Sequence, residues 1–275
     1  MQGGKGLPLV VEELHMKQMD ERQNSILELL NRENKVYVPD LSEQFNVSEV
    51  TIRKDLKDLE DRGLLRRVHG GAERVHDARV AVESTLGQLM LIHMNEKQTI
   101  ARAAFPLIED GDAVLLDAST TTRELARLIR ASDLSELTII TPAPEIALDL
   151  CDNDRFQVIL IGGILRPSLK TSMGPIAIDT LKGLHADKAF IGVNGIDIAV
   201  GLTTQNLFEC EMKRRIIESS TRSYVLADAS KTNTVALGVI CPVSAVDYIV
   251  TDEGVSENLA GRLEEQGVEV IIARN

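Results

Sequence analysis

Apolar residues fall into two textures along this chain. Between residues 20 and 75 they recur at helical spacing. Ile26, Leu29 and Leu30 stand at i, i+3 and i+4; Leu41 and Phe45 are four apart; Ile52, Leu56 and Leu59 stand at i, i+4 and i+7. Pro39 suits the first turn of the second helix, where its missing N–H costs nothing. Asn46 can take the left-handed conformation that ends that helix. Ser48 is a good N-cap for the third helix, with Glu49 at its positive end, and Gly63 is a stop after Arg62. Residues 65–68 read as a short strand and Gly70-Gly71 as a turn. Helix, helix, tight turn, helix and basic hairpin describe a winged helix-turn-helix. From Thr99 onward, short apolar runs take over at 113–116, 137–140, 158–161, 188–193, 224–227, 248–250 and 268–272. Helical patterns such as 124–130 lie between them. Strands alternating with helices predict an α/β domain with a largely parallel sheet and a ligand at the carboxyl ends of its strands. Residues 1–19 read as a flexible extension and residues 76–98 as a linker with some helix.

The length of 275 residues suits this two-domain division, and 44% hydrophobic residues is ordinary for a globular protein. Aromatics are scarce, with five Phe, three Tyr and no Trp, which disfavours a base-stacking platform. Cys151, Cys210 and Cys241 lack CxxC spacing and read as reduced, buried thiols. The five His show no metal-ligand spacing, so neither a metal nor a cofactor is expected. The longest apolar stretch, 158–165, is too short to span a bilayer, and the N-terminus has no secretory pattern. A cytoplasmic protein is expected, with no membrane partner.

The net charge of −12 seems to oppose a nucleic-acid partner. Its distribution changes that picture. Residues 76–275 carry 18 Lys and Arg against 28 Asp and Glu, whereas residues 20–75 carry 10 against 12. On the third helix, Arg53, Lys54 and Lys57 fall on the face opposite the apolar stripe, while Asp55 and Asp58 fall on the flank. Ser48 and Thr51 are short polar residues at its N-terminal end, suited to reach base edges. Arg66, Arg67 and His69 on the wing suit the DNA backbone or minor groove. Taken alone, such a helix is an ordinary solvated charged surface. The context says more. Thr51-Ile52-Arg53-Lys54-Asp55-Leu56, Leu59-Glu60, Gly63, Leu65 and Arg67-Val68-His69-Gly70-Gly71-Ala72 closely resemble the DNA-binding signature of the DeoR family of bacterial transcriptional regulators.

The resemblance continues to the C-terminus. It implies an N-terminal winged helix-turn-helix domain (20–75) and a larger α/β effector domain (99–275) resembling sugar-phosphate isomerases. It also implies a regulator, most often a repressor, of carbohydrate metabolism, controlled by a phosphorylated sugar or related metabolite. Double-stranded operator DNA and a homo-oligomer are the implied partners. The run Asp117-Ala118-Ser119-Thr120-Thr121-Thr122 follows a strand and opens a helix, so its hydroxyls and the helix N-terminus suit an anion. The family usually has glycine where Ser119 stands, and Pro142 removes an N–H beside Thr141, so only Thr141 carries over from that turn. Gly162 and Gly163 match, as do Arg166, Thr171 and Gly174. Asp197 follows a strong match and suits sugar hydroxyls. Thr203, Glu209, Lys213 and Lys231 complete the implied effector residues. Glu209 and Lys213, at i and i+4, share a helix face and by themselves read as a salt bridge. The resemblance also leaves an enzyme as an alternative, a sugar-phosphate isomerase or deaminase using Asp197, Glu209 and Lys213. The helix-turn-helix argues for the regulator.

Overall fold

The structure, a computed structural model, describes residues 21–33, 35–61, 64–73 and 86–274, which form two units. The expected extension at 1–19, the helix stop at Arg62-Gly63, and residues 76–85 of the expected linker lie outside the described residues. The first unit runs α1 (Glu21–Glu33), β1 (Lys35–Tyr37), α2 (Val38–Phe45), α3 (Glu49–Asp61), β2 (Arg66–Val68) and β3 (Gly71–Glu73). Pro39 lies in the first turn of α2, and Asn46 ends it in the left-handed region at φ 51°. Ile26, Leu30, Leu41, Ile52, Leu56 and Leu59 are buried and form the core, so the helical spacing is realised in packing.

The wing has a strand that the apolar pattern does not reveal. β1 pairs with β3, which pairs with β2, all antiparallel. With three residues, β1 is too short to show alternation. Gly71 belongs to β3 and not to the turn, which is made by His69 and Gly70. A Cβ at Gly71 would lie 2.0 Å from the carbonyl oxygen of Val36, so the β1–β3 pairing requires glycine there.

The second unit begins with α4 (Leu86–Leu91) and α5 (Met94–Ala104), followed by β4 (Ala113–Leu116), α6 (Thr120–Arg130), β5 (Leu137–Thr141), α7 (Pro144–Cys151) and β6 (Phe156–Leu160). A hairpin of β7 (Ile164–Arg166) and β8 (Thr171–Met173) leads to α8 (Pro175–Lys182) and β9 (Ala186–Gly192). Then come β10 (Gly195–Asp197), β11 (Gly201–Thr204), α9 (Leu207–Glu218), β12 (Ser220–Leu226), β13 (Gly238–Cys241), β14 (Tyr248–Asp252), α10 (Glu257–Glu265) and β15 (Glu269–Ala273). Residues 86–98 therefore do not form a linker: Leu86, Met90 and Lys97 are buried in this unit. Six-residue α4 is too short for its periodicity to register in sequence.

Each of the seven apolar runs becomes a strand of one parallel sheet, ordered β15-β14-β12-β9-β4-β5-β6. Alternate residues serve opposite faces. Val114 and Leu116 pack with α5, α6 and α7, while Leu115 packs with the α8, α9 and α10 side. The chain enters at β4, builds outward through β5 and β6, then returns to β9 on the other flank of β4. The carboxyl ends of β4 and β9 thus flank the point where strand order reverses, where open α/β sheets bind ligands. Three of the scarce aromatics, Phe190, Tyr224 and Tyr248, stack across adjacent strands β9, β12 and β14 with centroids 4.8 and 4.6 Å apart. β10, β11 and β13 make a separate antiparallel sheet.

Asp55 departs from its expected place on a solvated flank. It is buried, and its carboxylate accepts Arg22 Nε at 2.6 Å and Gln23 Nε2 at 3.4 Å, tying α3 to α1. Removing a partner from a hydrogen bond to a charged, buried group costs about 1.5–3 kcal/mol. Asp55→Ala is accordingly expected to destabilise the first unit by about 2 kcal/mol, read as faster native-state hydrogen exchange of α1 and α3 amides with the α/β unit unchanged.

Candidate functional site

In the first unit, α3 starts on a capped N-terminus. Ser48 Oγ accepts Thr51 N at 3.2 Å and lies 2.9 Å from Thr51 Oγ1. Arg53, Lys54 and Lys57 are exposed along one side, and Arg66, Arg67 and His69 are exposed on the wing. Three of these cations already hold carboxylates: Arg53 with Glu49 at 2.6 Å, Arg67 with Glu60 at 2.6 Å, and Arg66 with Glu73. The Arg67 backbone N–H and guanidinium both donate to Glu60, and these bonds hold its carboxyl below the usual range. Exposed ion pairs of this kind are weak and exchangeable. Val50 is 73% exposed in the first turn of α3, beside Ser48 and Thr51. Polar and charged patterning directs attention away from it, yet an apolar side chain at this position suits the methyl group of thymine.

In the second unit, a cavity of about 180 Å³ opens between the carboxyl ends of β4 and β9. That is far more than the ~10–15 Å³ one water needs. Asp117, directly after β4, organises it. Its carboxylate is 2% exposed and accepts Ser119 N at 2.8 Å, Thr122 Oγ1 at 2.8 Å, Gly192 N at 2.9 Å and the Lys213 ammonium. Burial alone pushes the Asp117 carboxyl up, but Lys213 and the surrounding donors hold it below its ordinary value. Burial likewise pushes Lys213 down, and Asp117, with Glu209 nearby, more than reverses this. Both groups are therefore charged. Lys213 pairs with Asp117 and not with Glu209, so the i, i+4 salt bridge does not form. Glu209 instead accepts Thr204 Oγ1 at 3.0 Å and lies 3.6 Å from the Arg166 guanidinium.

Asp117, Ser119, Thr120, Thr121, Glu209, Lys213 and Lys231 line the cavity. The other expected effector residues are placed elsewhere. Thr122 is fully buried and spends its hydroxyl on Asp117. Thr141 Oγ1 accepts Ala143 N at 3.1 Å and closes a local turn, and Thr203 Oγ1 accepts Ala236 N at 2.9 Å, tying β11 to the segment before β13. Gly162 and Gly163 form the exposed approach to the β7–β8 hairpin. A Cβ at Gly163 would lie 2.7 Å from Met173 O, so that glycine serves the hairpin. Asp197 Oδ1 accepts Ala199 N and Val200 N, each at 2.9 Å, and holds the β10–β11 turn. Arg166 stands 3.6 Å from the Glu209 carboxylate. Ser119, where the family usually has glycine, caps α6 through Thr122 N at 3.2 Å. Room for it comes from Gly192, where a Cβ would lie 2.4 Å from the Ser119 Cβ.

The cavity has a second polar side: His93 and Lys97, which lie outside the resembling motifs, stand with Asp228 and Lys231. Lys97 is 6% exposed, and burial pushes its ammonium down to about 8. The Glu96 carboxylate, 4.0 Å from His93 Nδ1, holds the imidazole above its ordinary value. Burial pushes Asp228 up, but Lys231 and Ser230 hold its carboxyl low. An apolar wall that includes Leu86, Leu89, Ile92, Leu169 and Met212 joins the two polar sides. Among the described residues, no group of three or more His, Cys, Asp or Glu could hold a metal, and no helix is long and apolar enough to cross a membrane.

Breaking a buried ion pair by removing one partner costs about 3–5 kcal/mol. Lys213→Met is therefore expected to lower the stability of the second unit by about that amount in urea unfolding near neutral pH. The pH dependence follows from the shift directions. Asp117 lies below its ordinary 3.8 and Lys213 above its ordinary 10.5. The pair's contribution is complete between those values. It is lost in acid as pH falls through the depressed value of Asp117, and in alkali as pH rises through the raised value of Lys213. In Lys213→Met, acid unfolding should begin at a higher pH than in the unaltered protein.

Comparison with known proteins matches both units. The DeoR-like helix-turn-helix domain matches residues 22–78, and the DeoR C terminal sensor domain matches residues 92–253. The chain is 33% identical over 253 residues to the HTH-type transcriptional regulator GolR of Listeria innocua, covering 92% of this chain and 98% of that protein. It is 34% identical over 252 residues to the putative aga operon transcriptional repressor of Escherichia coli O157:H7, covering 92% and 93%. The solved structure of ribose 5-phosphate isomerase A from Methanocaldococcus jannaschii aligns with a TM-score of 0.37 and 18% identity, over 51% of this chain and 55% of that one. With both domains matched in order along its length, the chain belongs to the DeoR family of helix-turn-helix transcriptional regulators.

Proposed function

We propose that this regulator represses a carbohydrate-metabolism operon and that a phosphorylated sugar, bound in the cavity of its second unit, modulates its hold on operator DNA. The cavity's chemistry carries this reading. The N-terminal turn of α6, with Ser119, Thr120 and Thr121, faces it. The first N–H groups of a helix have no intrahelical partner and favour an anion. Asn194, Gln205 and Glu209 offer donors and acceptors for sugar hydroxyls, and the apolar wall covers the carbon face. Lys213 is charged and locked to Asp117, and Asp197 holds a turn outside the cavity. Two of the three groups an isomerase or deaminase would use as a base, Lys213 and Asp197, are thus committed to other contacts.

On DNA, α3 enters the major groove. Ser48, Val50 and Thr51 face base edges, and Arg53, Lys54, Lys57, Arg66 and Arg67 take phosphates in exchange for Glu49, Glu60 and Glu73. Two copies of the chain would match paired half-sites. Leu207, Phe208, Leu237 and Val239 are exposed around the start of α9 and β13, with Leu237 77% exposed, and supply an apolar surface for that association.

Three outcomes follow. The protein should bind a duplex from its own promoter region, and at least one hexose phosphate should change that affinity; binding to no operator at any salt concentration would sink the reading. Lys54→Ala should weaken binding to all sequences alike and lower the slope of log affinity against log salt by about 1. The thermal shift given by the sugar phosphate should stay intact in that variant, because loss of both would indicate misfolding. Phe208→Glu should reduce the mass seen by sedimentation, and an unchanged mass would remove this surface from the assembly.

A further inference from the structure

The outer face of α3 carries one apolar side chain among cations. Val50, Lys54 and Lys57 stand at i, i+4 and i+7, so they form one stripe along the helix. The buried stripe of Ile52, Leu56 and Leu59 has the same spacing on the opposite side. Lys54 and Lys57 are exposed, and Val50 is 73% exposed in the first turn. The core therefore does not explain Val50. Local preference does not explain it either, because a β-branched residue is a weaker helix former than alanine or lysine. Its polar neighbours are occupied at the helix start. Ser48 Oγ accepts Thr51 N at 3.2 Å and lies 2.9 Å from Thr51 Oγ1, and Glu49 holds the Arg53 guanidinium at 2.6 Å. Val50 is left as the apolar group that this turn presents outward.

The charges beside it decide what it meets. An apolar protein surface laid on Val50 would also cover Lys54, one turn away, and leave that cation unpaired. A duplex instead offers phosphates to Lys54 and Lys57 and base edges to the turn before them. In the major groove, guanine, adenine and cytosine present hydrogen-bonding groups, whereas thymine also presents its C5 methyl group. An isopropyl group pressed on a polar edge strips its water and returns no hydrogen bond. Against a methyl group it buries apolar surface on both partners.

We propose that Val50 reads the C5 methyl group of one base where α3 docks, and that this methyl group, not the rest of the base, is what it recognises. Thymine meets the requirement. So does 5-methylcytosine, which carries the same methyl group at the same ring position, while cytosine does not. Val50 is thus a specificity-determining residue, and the regulator's hold on DNA is open to cytosine C5 methylation at that one position. This deepens the DNA-reading part of the proposed function and rests on it.

The test uses the full-length protein and a duplex from its own promoter region, in which each thymine is replaced in turn by deoxyuridine, which lacks only the methyl group. At one position the replacement should weaken binding about fourfold, the transfer value of a single buried methyl group. Val50→Ala should keep its fold, since the site is exposed and alanine is the better helix former. In that variant the thymine and deoxyuridine duplexes should bind alike, both at the level of the unaltered protein on deoxyuridine. Val50→Ile should keep the discrimination. At the same position, 5-methylcytosine paired with guanine should bind the unaltered protein about fourfold more tightly than cytosine paired with guanine. Three results would overturn the role of Val50 and leave operator binding standing: no thymine whose replacement matters, a deoxyuridine penalty of the same size in Val50→Ala, or equal binding of cytosine and 5-methylcytosine. If the unaltered protein binds no promoter duplex, the DNA-reading proposal falls and takes this inference with it.

Discussion

The α/β unit is organised around a single buried anion. Asp117 ends β4, its carboxylate receives the first turn of α6 through Ser119 N and Thr122 Oγ1, the last residue of β9 through Gly192 N, and α9 through Lys213. Four elements, from stretches of the chain up to about 100 residues apart, meet on two oxygen atoms at the point where strand order reverses. A buried carboxylate is costly unless it is paired and saturated with donors, and here it is both. The consequence is geometric. The α6 N-terminus and the end of β9 are set at a fixed separation, and the cavity between them is a product of that constraint. Ser119 and Gly192 fit only because glycine leaves room for the serine Cβ. The site is thus built on a framework that pays for its own electrostatics before any ligand arrives.

The DNA-reading unit solves a different electrostatic problem. It is not basic in total, and its arginines are held by Glu49, Glu60 and Glu73. A phosphate must displace those carboxylates, so each contact yields less than an unencumbered arginine would. Arginines so paired favour weak non-specific binding with a strong dependence on salt. The acidic α/β unit adds to this by opposing loose association with DNA. Ser48, Val50 and Thr51 stand together at the N-terminus of α3.

Much of this architecture was legible in the chain because long-range order followed local pattern. All seven strands of the parallel sheet show as apolar runs, the central ones most plainly, since strands buried on both faces have no polar alternation to hide them. The helix caps at Asn46 and Ser48 were equally plain. Hydroxyl function was not. Thr122, Thr141 and Thr203 look like ligand groups in sequence, yet each closes an internal bond, and Asp197 holds a turn. A hydroxyl or carboxylate beside a strand end serves backbone donors as readily as a sugar, and only the fold decides which. The reverse error concerns Lys97 and His93. They stand in a stretch of weak periodicity, and their roles depend on α4, six residues whose packing no local pattern discloses. Asp55 shows the same limit, since its partner Arg22 lies 33 residues away.

These two kinds of structure, one over-determined and one barely held, bear on how a signal travels. The Asp117 network is rigid because every donor and acceptor in it is matched, and a rigid framework does not transmit a change by deforming. A switch needs an element with two arrangements of nearly equal free energy. α4 is short, it borders the cavity, and hydrogen bonds to Ser168 and Lys97 hold its two ends. A ligand can bias an equilibrium only by its differential affinity for the two states. The cavity is therefore bordered on one side by a buried, fully paired network around Asp117 and on another by a six-residue helix tied at both ends.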